Sequence, residues 1–84
     1  MEEDLGKKIN ELKTELEKIS IEDTTAKENI KSIILELEKA NTDSSESKFI
    51  IDKIKTTIDR FETEHPRATA ILNDIMVTLS NIGI

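Results

Sequence analysis

The 84-residue chain has no cysteine, tryptophan or tyrosine, and it contains one proline, one histidine, two glycines and two phenylalanines. The missing cysteine excludes disulfides and thiol chemistry, and one histidine leaves almost nothing from which to build a structural zinc site. A cysteine-free chain also fits a reducing compartment. Two Phe and no Tyr or Trp leave no platform on which single-stranded nucleic acid could stack. The net charge of −6 would repel a phosphate backbone. Residues 1–40 carry −4 of it, seven lysines against eleven acids. The same sign argues against a basic amphipathic helix lying on a membrane. No apolar run approaches the ~20 residues that cross a bilayer. The start, Met1-Glu2-Glu3-Asp4, is acidic where a secretory signal is basic and then apolar. These absences predict a soluble cytoplasmic protein without nucleic-acid or membrane partners, and at this length a single small domain.

What the chain does have is periodicity. Leu5, Ile9, Leu12, Leu16 and Ile19 recur at spacings of four and three, and the phase continues through Asp23, Ala26, Ile30, Ile33, Leu37 and Ala40. Such spacing places one side chain per turn along one seam of a helix. Near Ser20–Thr25 the pattern weakens. Ser20 followed by Asp23 has the look of a capping box, and Thr24-Thr25 is a poor helix former, so a bend or break belongs there.

Residues 41–46, Asn-Thr-Asp-Ser-Ser-Glu, form the turn. Asn41 suits the left-handed end of a helix, and Asp43 with Glu46 can cap the next one. The second arm, 46–83, repeats the device through Ile51, Ile54, Ile58, Phe61, His65, Ala68, Leu72, Ile75, Leu79 and Ile82. Its interruption is His65-Pro66, where proline removes a hydrogen bond; the preserved phase favours a kink over a free linker. Gly83 reads as the closing C-cap.

Folding the first arm (2–40) back along the second aligns the seams layer by layer. Ala26 then faces Phe61, and Asp23 faces His65. Small meets large, polar meets polar, and the two interruptions fall at one height. The expected fold is therefore all-α: an antiparallel helical hairpin with each arm bent or broken midway. Apolar residues outside the seams, Ile34, Ile50, Ile71 and Met76 with Phe49, Ala70 and Val77 further round, predict that two hairpins pair as a homodimeric four-helix bundle. The alternative is a compact monomeric bundle of four short helices, folded at Asp23 and Pro66 as well.

At Phe61-Glu62-x-Glu64-His65-Pro66, with Leu72-Asn73, Ile75 and the ending Leu79-Ser80-Asn81-Ile82-Gly83-Ile84, the chain resembles the family known as domain of unknown function 4404. Those are short soluble helical proteins of bacteria. The resemblance implies an all-helical, cytosolic, bacterial protein and supplies no catalytic residues.

Three groups of residues are candidates for function. His65 either pairs with Asp23 as a latch between the arms, or precedes a kink and bonds backbone or water. Glu62-x-x-His65 has the spacing found in carboxylate-bridged dimetal bundles, with Asp23 at the same height as a further ligand. The third group is the apolar face Ile71, Leu72, Ile75, Met76, Val77 and Leu79, whose burial at ~25 cal/mol per Å² would drive association. Serines and threonines abound, but one histidine, no cysteine and no glycine-rich loop give no nucleophile an activating partner. The expected function is non-enzymatic and cofactor-free: self-association, with the C-terminal helix also open to a protein partner. The alternative is a metal-binding bundle using Glu62, His65 and Asp23.

Overall fold

The computed structural model describes residues 2–39 and 44–82. They form four α-helices: α1 (Glu2–Lys18), α2 (Thr24–Lys39), α3 (Ser44–Phe61) and α4 (Pro66–Ile82). No strand occurs among the described residues. Residues 40–43 lie outside them, and with them the first half of the expected turn 41–46 and the capping roles of Asn41 and Asp43; the expected Gly83 cap also lies outside the described residues. Ser44, Ser45 and Glu46, read as part of that turn, already belong to α3.

Both arms are broken. An unbroken arm would run ~57 Å at ~1.5 Å per residue, whereas the longest dimension of the fold is 36 Å, with 22 and 19 Å across. α1 packs on α2 and α4, and α3 packs on α2 and α4. This is the four-short-helix arrangement within one chain. Among the described residues, ion pairs bridge three of the four seams. Lys8 reaches Asp74 at 3.6 Å between α1 and α4, and Lys13 reaches Glu38 at 2.6 Å between α1 and α2. Lys53 on α3 touches Ser32 at 2.6 Å and Glu36 at 3.3 Å on α2. Being on the surface, each contributes at most about 1 kcal/mol. They fix register more than stability.

The stability comes from the core. Leu12, Ile30, Ile33, Ile54, Leu72 and Ile75 are fully buried, and Ile9, Ile19, Ala26, Ile34, Leu37, Ile50, Phe61, Ala68 and Leu79 complete the cluster. Burying each of the larger side chains contributes about 1.5–3 kcal/mol. Leu5, Leu16, Ile51 and Ile58 are the remaining apolar seam positions among the described side chains, and they pack against the cluster's edge. Ala26 and Phe61, expected to face one another, both lie inside it.

Helix α3 departs from the expected phase. Its buried stripe is Ile50, Ile54, Thr57 and Phe61, while Ile51 and Ile58 sit at the margin. The reason is Thr57, a polar residue that closes the i, i+4, i+7, i+11 stripe. Its hydroxyl donates to the Lys53 carbonyl at 2.9 Å, so burial leaves no unpaired donor. Thr69 is buried in the same manner, donating to the carbonyls of His65 and Pro66 at 3.1 Å.

Candidate functional site

The site is built where the two breaks meet. After α1, Ile19 N–H donates to the Leu16 carbonyl at 3.2 Å, and Asp23 N–H donates to the Ser20 carbonyl at 3.0 Å. Ser20 Oγ accepts from the Glu22 amide at 3.2 Å, which shapes the turn. The cap of α2 is Asp23, not the Ser20 of the expected capping box. Its Oδ1 accepts the Ala26 amide at 3.3 Å, and its carbonyl accepts the Lys27 amide at 3.2 Å. A carboxylate at this position satisfies an orphan donor and lies at the positive end of the helix dipole.

The second break has a different cause. Pro66 occupies the first position of α4, where its missing N–H costs nothing and its fixed φ suits the helix. His65 is therefore the N-cap, and its carbonyl accepts the first helical bond from Thr69 at 3.1 Å. The amides of Glu62 and His65 still donate to Ile58 and Phe61, at 2.9 and 2.7 Å. Helical hydrogen bonding thus runs into the turn from α3 and out of it into α4. The expected kink is a full break, since Glu62–His65 belong to neither helix.

Two helix N-caps, 42 residues apart in sequence, are thereby in contact: His65 Nε2 lies 2.7 Å from Asp23 Oδ2. Both side chains are mostly covered, His65 at 19% and Asp23 at 30% exposure. An ionised carboxylate only accepts, so the hydrogen of this bond is carried on Nε2. The imidazole hydrogen bond is the main force holding the Asp23 carboxyl below its usual range. Partial desolvation works against it; the Ala26 amide and the attraction of the imidazole charge add to it. The Phe61 ring stands 6.4 Å from the imidazole, tilted by 52°, and the Arg60 guanidinium lies 5.4 Å from the Phe61 ring centre. An acid, an imidazole, an aromatic ring and a guanidinium thus line the end of the bundle at which both breaks lie.

Chemically this arrangement ties two connections together. The dimetal alternative does not assemble: among the described residues no group of three or more His, Cys, Asp or Glu side chains is gathered to hold a metal ion. Glu62-x-x-His65 lies in a turn instead of along a helix face, Glu62 is exposed, and Asp23 is spent on the α2 cap and the imidazole.

The six residues of the expected apolar face divide. Leu72, Ile75 and Leu79 are buried in the chain's own core. Ile71 and Met76 sit at its edge, and Val77 is 50% exposed. Phe49, Leu35 and Ile21 are exposed apolar residues on α3, on α2 and in the first break. Of these only Phe49 was singled out by the periodicity. Leu35 is two residues from both Ile33 and Leu37, which places it on the side of α2 opposite the seam. Ile21 falls where the heptad reading stops.

Four amphipathic helices closed around one apolar core, with a polar tie at one end, define a small helical-bundle protein. The chain matches the family described as domain of unknown function (DUF4404) over residues 5–84, and it belongs to that family. No curated protein and no solved structure matches it. No described helix is long and apolar enough to cross a membrane.

Proposed function

We propose that the protein is a non-enzymatic interaction module that self-associates as a homodimer through the outer surface of α4. The carrying observation is the contrast between α4 and the rest of the surface. In a chain that is 36% charged, the 17 residues of α4 include only Arg67 and Asp74 as charged side chains. Val77 stands half exposed there, beside the partly covered Met76. The exposed face, Pro66, Arg67, Ala70, Asn73, Asp74, Val77 and Asn81, mixes one charge of each sign with small and amide side chains, and a face so sparsely charged is one that contacts can bury. The same surface is open to a protein partner of matching character. Reading the protein as non-enzymatic rests on the sequence: one histidine beside a proline, no cysteine and no glycine-rich loop give its serines and threonines no activating partner. A cytoplasmic setting fits the same lack of cysteine.

Val77→Glu and Met76→Lys test this reading. Both place a charge at the margin of the core instead of inside it, so each variant keeps its helical circular dichroism and elutes as a single chain. Elution of both variants at the wild-type position would remove this surface from consideration.

A further inference from the structure

The two charges of α4 are seven residues apart, two helical turns, and so lie on one face. Between them is Ala70, an exposed small side chain. Arg67 and Ala70, with Ile71, also line an open groove between α4 and the Glu11–Glu15 stretch of α1. We infer that two copies pair α4 against α4 in antiparallel fashion about a two-fold axis passing between Ala70 and Ile71. The inference rests on the self-association proposed above and specifies its register.

Charge complementarity sets this register. In an isologous contact a surface must complement itself. An antiparallel pair centred between residues 70 and 71 sets Arg67 of each copy opposite Asp74 of the other, twice by symmetry. Ala70 comes to the crossing point, where the lack of a larger side chain lets the backbones approach. Val77 arrives level with the partner's Glu64, at the edge of the contact. Centring the pair on Asp74 instead would set two carboxylates face to face, which opposes association. Asp74 is free enough for this role: its own-chain contact is Lys8 at 3.6 Å, and its side chain is 55% exposed. Among the described residues no carboxylate lies within ion-pair distance of Arg67. A guanidinium also suits a carboxylate better than an ammonium does, because it can bond both oxygens.

The test is charge reversal read by dimer dissociation constant, with circular dichroism confirming the fold. Arg67→Glu and Asp74→Arg should each weaken the dimer about tenfold or more. The double variant should restore it, because each new pair again joins opposite charges. Ala70→Cys, in a chain with no other cysteine, should be joined to its partner by a short bismaleimide, whereas Thr56→Cys on the outer face of α3 should not. A dimer that Val77→Glu dissociates, but that ignores both charge reversals and leaves Ala70→Cys unlinked, overturns this register while sparing the α4 surface. A wild-type protein that stays monomeric at every concentration overturns both.

Discussion

Asp23 and His65 meet at 2.7 Å because each begins a helix, and the bundle brings those two beginnings to the same end. Asp23 performs two tasks with one carboxylate: Oδ1 caps α2 through Ala26 and Oδ2 takes the imidazole. Substitutions at this position therefore separate the tasks. Asp23→Ser retains a capping oxygen but cannot reach the imidazole as a carboxylate does, whereas Asp23→Ala loses both. Melting temperatures should fall in the order wild type, Asp23→Ser, Asp23→Ala. Equal values for the two variants would mean that the capping bond contributes nothing.

The same carboxyl sets a pH dependence. Its folded-state pKa is lowered from the ordinary 3.8, with the His65 hydrogen bond as the largest cause. A lowered value means that the stabilisation is fully present above the ordinary value and disappears as pH falls through the lowered one. In His65→Ala the Asp23 carboxyl should titrate at higher pH than in wild type, observed by side-chain carboxyl NMR, and acid unfolding should begin earlier. An unchanged Asp23 titration would show that the imidazole does not hold the carboxylate.

Core and surface should respond very differently to truncation. Leu12 and Ile75 are fully buried, so Leu12→Ala or Ile75→Ala should each cost about 2–5 kcal/mol in denaturant unfolding. Ile21 and Leu35 are exposed at 81% and 55%, and Ile21→Ser or Leu35→Ala should stay within about 0.5 kcal/mol. A large loss at Leu35 would mean that the outer side of α2 is covered in solution.

Much of this was legible in the sequence, because a heptad seam is a direct record of which side of a helix meets the core. Leu12, Ile30, Ile33, Leu72 and Ile75 could be named from spacing alone. The Asp23–His65 contact followed from aligning the seams, since two polar interruptions at one height have each other as the nearest partner. What spacing does not encode is how sharply a chain turns at an interruption. Preserved phase is equally compatible with a kink and with a break that folds the helix back, and Pro66 stands at the first position of a new helix. Once the chain folds at Pro66, Leu72, Ile75 and Leu79 are covered by its own helices, and the expected interface shrinks to Ile71, Met76 and Val77. Thr57 carries no hydrophobic signal in the sequence; only its hydroxyl bond to the Lys53 carbonyl makes the buried position tolerable.

The position of Pro66 makes a further prediction. Pro66→Ala should change stability by less than about 1 kcal/mol, since the residue is preorganised for the helix start and buries no donor. Asn73→Pro, in the exposed middle of α4, should cost about 3 kcal/mol or more by removing a helical bond and clashing with the preceding turn. Comparable losses from the two would contradict a helix starting at Pro66.

The central functional claim is that one bundle pairs with another. The most direct measurement is the mass of the native protein by light scattering during size exclusion, across a range of micromolar concentrations. Paired bundles give twice the 9.5 kDa of the single chain, falling toward one chain mass on dilution. A constant 9.5 kDa throughout that range would contradict the pairing.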